Sequence, residues 1–256
     1  MDIPQPKSLK VLLIGDACTD RYYYGSVTRL SPEAPVPVLK HLYTEERLGM
    51  CLNVGANLEA LGVLVDVLKN DEMIYKDRFV DAKTKQHLLR ADFGESAKVQ
   101  PIDPDKIDIS GYDAVVVSDY NKGFISRSIA SHISAKCHAA AIPLFVDSKK
   151  KNLECYEHCF IKINEKESNE MKQLSATANL IITLGARGAK YEDTVYPTTE
   201  CEVFDVSGAG DTFMSALVYK YLESKDIPIA LKFANYCARI VVQKFGTYCL
   251  QPEDLK

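Results

Sequence analysis

Ala114-Val115-Val116-Val117-Ser118-Asp119 is a short apolar run ending in a carboxylate, and the chain after it repeats that plan. Residues 126–141 carry Ile129, Ile133 and Cys137 on one helical face, and Leu144-Phe145-Val146-Asp147 is a second apolar run. Phe160-Ile161-Lys162-Ile163 leads into Asn164 and a short helix expected to reach about Ala178, and Leu180-Ile181-Ile182-Thr183-Leu184 ends at Gly185. Continuous apolar runs of this length belong to strands buried on both faces. Strand, polar tip and helix in alternation predict an α/β fold, with a mainly parallel central sheet, right-handed crossovers and helices on both faces. In such sheets ligands bind beyond the carboxyl ends of the strands.

Moving toward the N-terminus, Val11-Leu12-Leu13-Ile14 is another buried strand, opening at Gly15-Asp16 into candidate polar contacts at Asp16, Asp20 and Arg21. From Tyr22 to Lys40 the prolines of Ser31-Pro32-Glu33-Ala34-Pro35-Val36-Pro37-Val38 forbid a helix or a central strand, so this segment is expected as a protruding β flap. A helix is predicted from Leu52 to Leu61, with Asn53 near its start and Gly62 as its stop, then a strand from Val63 to Leu68. The helix that regular alternation demands next is missing. Residues 76–93 instead pattern as a hairpin turning near Ala82 to Gln86, assigned to the same flap.

Moving toward the C-terminus, short strands are expected near 189–196 and 201–204. Then comes Asp205-Val206-Ser207-Gly208-Ala209-Gly210-Asp211-Thr212, directly before the apolar-periodic run Phe213, Met214, Ala216, Leu217, Val218, Tyr221 and Leu222. A second helix should run from about Pro228 to Lys244 and stop at Gly246. The first N–H groups of the helix after Gly208 lack intrahelical acceptors, and glycines let an anion approach them, which makes a phosphate cradle. A carboxylate there, Asp211, fits either a cap or a base that takes a proton from an attacking hydroxyl. Asn164 and Glu167, three apart on one side of a first helical turn, likewise fit two roles. They can order waters on Mg²⁺ or close a capping box.

The 256 residues, 46% of them hydrophobic, suffice for one large α/β domain with a sizeable core, and the net charge of −4 offers no general attraction to nucleic acid. Residues 1–10 contain two prolines and no apolar core, and no run is long enough to cross a bilayer. A cytoplasmic protein without membrane contact is expected. The eight cysteines lack C-x-x-C spacing and read as reduced, and Cys155 and Cys159 around His158 lack the second ligand pair that zinc needs. Neither G-x-x-x-x-G-K-[ST] nor a G-x-G-x-x-G after the first strand is present, which excludes the commonest phosphate loops.

Taken together, these strings resemble the ribokinase, or PfkB, family of sugar kinases. Residues 205–212 look like its C-terminal signature, Asn164-Glu165-Lys166-Glu167 its N-x-x-E magnesium motif, and Thr183-Leu184-Gly185-Ala186-Arg187-Gly188 its nucleotide-binding turn. Ala234-Asn235 and Gly246-Thr247 match residues flanking the adenine pocket. Within the family, the proline-rich string, Asp20-Arg21-Tyr22 and Ser118-Asp119-Tyr120 are most similar to the heptose 7-phosphate kinases.

The resemblance implies a ribokinase-like three-layer α/β/α fold in a single domain over residues 1–256, with a β lid from roughly 20–48 and 75–94. It implies phosphorylation of the anomeric hydroxyl of D-glycero-D-manno-heptose 7-phosphate, using ATP and Mg²⁺ and allowing a monovalent cation. Asp211 would be the base, Gly208, Ala209 and Gly210 the anion hole, and Asn164 and Glu167 the magnesium residues, acting through water. Asp20, Arg21, Gly49, Asn53, Asp119 and Lys122 would bind the acceptor, with Arg29, Arg47, Lys76 and Arg78 as further candidates for its phosphate. Thr183, Gly185, Gly188, Asn235 and Gly246 would bind the nucleotide. A homodimer through the lid is expected. The chain departs from the family pattern at Gly49-Met50, where Gly-Gly is usual, in shortened segments after Val67 and Glu167, and in having no nucleotidyltransferase domain after the kinase.

Overall fold

The structure, a computed structural model, describes residues 8–95 and 99–255; residues 1–7, on which most of the reading of the N-terminus rests, lie outside the described residues. In chain order the strands are β1 Lys10–Gly15, β2 Ala17–Leu30, β3 Pro37–Met50, β4 Leu64–Lys69, β5 Tyr75–Asp81, β6 His87–Phe93 and β7 Ala114–Asp119. They continue with β8 Leu144–Ser148, β9 Asn152–Leu153, β10 Phe160–Asn164, β11 Gln173–Leu174, β12 Asn179–Thr183, β13 Ala189–Tyr191 and β14 Thr194–Tyr196. The helices are α1 Cys51–Ala60, α2 Arg127–Ala139, α3 Glu165–Glu170, α4 Ala209–Ser224 and α5 Ile227–Val241.

The main sheet has the order β14-β13-β12-β10-β8-β7-β1-β4, parallel from β12 to β4 and closed at the other edge by the antiparallel pairs β12–β13 and β13–β14. Its apolar runs are buried on both faces because side chains alternate along each strand. Leu13, Val116 and Phe145 pack with α1, α4 and α5, while Ile14, Val117 and Val146 pack with α2. The chain is therefore the α/β fold that its sequence predicts.

A second sheet, ordered β3-β2-β5-β6, stands beside the carboxyl ends of the main strands. β2 and β3 form the long hairpin spanning the proline string, and β5 and β6 pair antiparallel as a second hairpin. Its fully buried apolar cluster is small, Tyr22, Tyr24 and Val80.

Several expectations change. Residues 189–196 are the two strands of a hairpin, and 201–204 form no strand, because Phe204 N–H bonds back to Val242 and the segment becomes a loop over α5. α3 ends at Glu170 and not near Ala178, since β11 pairs with β9 immediately afterwards. All eight cysteines are free, and no helix among the described residues is long and apolar enough to cross a membrane.

Candidate active site

Asp211 sits in the first turn of α4, 5% exposed, where the chain leaves Gly208 in the left-handed region at φ 80°. Glycine is required at 208 for two reasons. Its conformation disfavours a side chain, and a Cβ would lie 2.8 Å from Asn53 Nδ2 and 3.1 Å from Thr247 Cγ2. The close approach lets Asn53 Nδ2 donate to Asp211 Oδ2 at 2.9 Å, while Tyr120 Oη donates to Oδ1 at 2.9 Å. Burial raises the Asp211 carboxyl above its usual value, and the Asn53 bond, Lys162 and Tyr120 oppose that rise. A carboxylate so poised, at a helix start whose N–H groups favour negative charge, suits a general base beside an anion site. One expected donor is spent, since Ala209 N–H bonds back to Val206 O at 3.2 Å.

The tips of β8 and β10 complete this wall. In parallel register Lys162 stands beside Asp147 on the face that also carries Phe145 and Phe160, so both point toward α4. Lys162 Nζ donates to Asp147 Oδ2 at 2.5 Å and to Gly210 O at 3.1 Å. Lys149 Nζ bridges Asp147 Oδ1 at 3.0 Å and Glu167 Oε1 at 2.8 Å. Burial would raise the Asp147 carboxyl, but the two ammonium groups prevail and hold it below its usual value. Asn164 and Glu167 form a reciprocal capping box, Asn164 Oδ1 accepting from Glu167 N–H and Glu167 Oε2 from Asn164 N–H, both at 2.8 Å. The carboxylates of Asp147 and Glu167 both reach the Lys149 ammonium, and Lys162 holds Asp147 from its other side. This donor set fits a hydrated Mg²⁺, which keeps most of its waters and takes one or two carboxylates.

Asp147, Lys149, Lys162 and Asn164 line a cleft of about 510 Å³ running from Asp211 to Thr183 and Gly185. A neighbouring pocket of about 440 Å³ is lined by Thr183, Gly185, Gly188 and Asn235, with Val203, Val206 and Val242 supplying an apolar wall. Four of the five expected nucleotide residues thus share one pocket. Gly246 lies elsewhere: its N–H bonds Asp205 Oδ2 at 3.0 Å, and a Cβ there would strike the Arg47 guanidinium at 2.4 Å. It belongs to the seam between the second sheet and the loop before α4.

The second sheet meets this site at Tyr120 and Thr247. Asp20, Tyr22, Lys76 and Arg78 face the cleft; Arg21, Tyr23, Asp77 and Phe79 face away. Asp20 Oδ1 accepts from Arg78 Nη1 at 2.6 Å and Oδ2 from Thr247 Oγ1 at 3.2 Å. Gly49 backs this carboxylate, and a Cβ there would lie 2.8 Å from Asp20 Oδ2 and 2.5 Å from Cys18 Sγ. Arg21, expected beside Asp20, instead pairs with Asp77 at 2.7 Å on the outer face, because side chains of successive strand residues point to opposite sides. Lys122 pairs with Glu95 at 2.7 Å.

Asp119 corrects the sequence reading most clearly. It ends β7, whereas Asp147 is the last residue but one of β8, and it pairs in register with Ser148, not Asp147, and so points toward α2. There it is fully buried, accepting from Tyr156 Oη at 2.7 Å and Ser148 Oγ at 2.8 Å and paired with Lys150. Its other oxygen, Oδ1, accepts from Asn121 N–H at 3.0 Å, and burial keeps the carboxylate out of the cleft. Asp16 is also buried, accepting from the N–H groups of Lys122 and Phe124 and bracing that turn. The site residues that sequence reasoning missed are Tyr120, Asp147, Lys149 and Lys162. A signal for Lys162 existed, since a lysine inside an apolar strand, in step with Phe160, must find a buried anion.

The model of the pfkB family carbohydrate kinases matches residues 105–254. The bifunctional protein HldE of Stutzerimonas stutzeri is 31% identical over 312 residues, covering 100% of this chain and 65% of its own length. That of Sulfurimonas denitrificans is 31% identical over 302 residues, covering 96% and 63%. The chain thus spans less than two thirds of these curated relatives. Among solved structures, Thermotoga maritima ribokinase aligns with a TM-score of 0.69 at 16% identity, covering 96% of this chain and 98% of its own. Escherichia coli phosphofructokinase-2 in complex with potassium gives 0.73 at 15%, covering 96% of each. Arabidopsis thaliana ribokinase complexed with ribose and ATP gives 0.68 at 15%, covering 97% of each. At these identities the structural matches show a shared ribokinase-like fold.

Proposed function

The chain belongs to the PfkB family of carbohydrate kinases, and on that premise we propose that it transfers the γ-phosphoryl group of ATP to the anomeric hydroxyl of D-glycero-D-manno-heptose 7-phosphate. One observation carries the chemistry: a buried carboxylate of raised pKa, Asp211, held by Asn53 and Tyr120 at the start of α4, beside a cleft containing Lys149 and Lys162. Asp211 takes the hydroxyl proton as the sugar oxygen forms its bond to the γ-phosphorus and the bond to the bridging β–γ oxygen breaks, releasing ADP. The free N–H groups at the start of α4 and the ammonium of Lys162 bear the charge on the transferred group. Asp147, Glu167 and Asn164 would hold Mg²⁺ through water, and the ion supplies charge neutralisation on the ATP phosphates. The pocket of Gly185, Gly188 and Asn235 takes the adenine against its apolar wall.

The choice of heptose rests on the proline-rich string and on the HldE relatives. The second sheet serves as lid in this reading, and its outer face, with Leu42, Leu48, Leu89 and Phe93 all more than half exposed, is where a second copy would pair. The working compartment is the cytoplasm, where ATP is available. The test is ADP release with a panel of sugars and sugar phosphates, with Asp211→Asn in parallel. Turnover highest on the heptose 7-phosphate and abolished in the variant supports the proposal. Preference for another sugar removes the heptose assignment, and ATP binding without transfer to any sugar removes the kinase reaction, leaving a silent relative.

A further inference from the structure

The reading above leaves open which cation recognises the acceptor's own phosphate, and the charge pairing around the cleft narrows the choice. Arg78 is committed to Asp20 at 2.6 Å, Arg47 to Glu45 at 3.0 Å and the Phe245 carbonyl at 2.9 Å, and Lys122 to Glu95 at 2.7 Å. Arg21 is on the outer face. Lys76 differs from all of these. It lies beside Asp20 in the strand register, on the face toward the cleft, and forms no ion pair with any described residue. Its Nζ stands 5.4 Å from the centroid of the Tyr120 ring, half-buried.

Tyr120 makes this position informative. Its hydroxyl donates to Asp211, and its ring has an ammonium group at 5.4 Å twice over, Lys76 from the second sheet and Lys149 from the main sheet. Lys149 is already bound to Asp147 and Glu167 in the cleft that takes the donor phosphates. Among the described residues the Lys76 ammonium is set against the Tyr120 ring and in no ion pair, and an ammonium partly withdrawn from water gains far more from a phosphate dianion than from an aromatic face. An acceptor with its reacting hydroxyl on Asp211 must extend away from the donor cleft, toward the second sheet.

We propose that Lys76 is the specificity-determining residue that binds the phosphate of a phosphorylated sugar acceptor, with the Tyr120 ring separating that phosphate from those of the donor. This inference rests on the kinase reading above. It is tested by steady-state kinetics of the wild type, Lys76→Met and Lys76→Arg with D-glycero-D-manno-heptose 7-phosphate and with the same heptose unphosphorylated. In Lys76→Met the KM for the phosphorylated sugar should rise about 10- to 100-fold, while kcat/KM for the unphosphorylated sugar and the KM for ATP stay within about threefold. Lys76→Arg, which keeps the charge, should recover most of the loss. If Lys76→Met lowers kcat/KM for both sugars by one factor, or leaves the preference for the phosphorylated sugar intact, the inference is overturned while the kinase reading stands. If the wild type itself uses only the unphosphorylated sugar, the assignment of a phosphorylated acceptor falls and this inference falls with it.

Discussion

The two walls of the cleft treat charge differently. On the main-sheet wall, Asp147, Lys149, Lys162 and Asp211 come from β8, the loop after it, β10 and α4, and all line one cleft. In the second sheet the arginines are held pair by pair, Arg78 with Asp20 on the inner face, Arg21 with Asp77 on the outer face and Arg47 with Glu45 and the Phe245 carbonyl, and Lys76 is left outside these pairs. The cores explain the difference. The main sheet buries apolar side chains on both faces, and its strand ends carry one linked network, Lys162–Asp147–Lys149–Glu167, beside the cleft. The second sheet has the core of Tyr22, Tyr24 and Val80, supplemented by stacked pairs such as Tyr23–Phe79 and Tyr24–Tyr43, so ion pairs take over part of its cohesion. Charge near a cleft is thus structural or chemical according to how much hydrophobic support lies beneath it.

Asp211→Asn tests that contrast with the largest expected effect. Loss of a general base lowers kcat by about 10²- to 10⁴-fold. Stability should not fall. Burial raises the Asp211 carboxyl, so the native state binds more protons than the unfolded chain just above the ordinary carboxylate range, and stability declines as pH rises through that window. At neutral pH the native carboxylate is carried at a cost that the amide removes. Thermal denaturation should place the variant level with or above the wild type at pH 7, with any advantage shrinking as the wild-type carboxyl becomes protonated in acid. A marked drop in Tm at pH 7 would make Asp211 a structural charge and erase the distinction between the walls.

Arg78→Met probes the other wall. Its pair with Asp20 is nearly sealed, with side chains 9% and 6% exposed, and removing one partner of a buried pair costs about 3–5 kcal/mol. Arg21→Met opens a bidentate pair whose arginine is 24% and whose aspartate is 6% exposed, and should cost less, about 1–3 kcal/mol. Urea denaturation compares the two directly. Equal losses would show that burial does not set the worth of these pairs.

Tyr120→Phe has a smaller effect. The hydroxyl bond favours ionised Asp211, so its loss should raise that carboxyl further and move the acid limb of kcat/KM to higher pH, lowering kcat/KM about tenfold near neutrality. An unmoved acid limb would mean that another group titrates in the reaction.

Legibility followed the same division. The α/β alternation was readable because strands buried on both faces must be apolar runs, and residues 205–212 were readable because the cradle is contiguous in the chain. Asp119 and Asp147 could not be told apart as strand-end carboxylates. Pairing of Asp119 with Ser148 sends one to α2 and the other to α4, and register is set by partners far away in sequence. Arg21 was misplaced for a related reason, since one residue along a strand reverses its face. The loop at 201–204 is held at Phe204 by the Val242 carbonyl, far downstream in the chain, which no local pattern announces.

Met50, at the junction of the two walls, gives the finest test. It closes β3 and precedes α1 with φ 54° and ψ −130°, a region natural to glycine, yet its side chain is 3% exposed among Ile14, Cys18 and Ile74 in the α2-side core. Methionine here accepts backbone strain of about 1–3 kcal/mol in return for apolar burial of about 1.5–3 kcal/mol. Those terms nearly cancel, so Met50→Gly should change stability little. Met50→Ala separates them, because alanine gives up most of the burial and keeps the strain. Glycine normally loses to alanine by about 0.4–1 kcal/mol where both fit the backbone. Here the order should reverse, with Met50→Gly more stable than Met50→Ala by about 1 kcal/mol in denaturant titrations. If alanine proves the more stable, the junction relaxes without strain, and the second sheet is joined to the main sheet by an ordinary strand end.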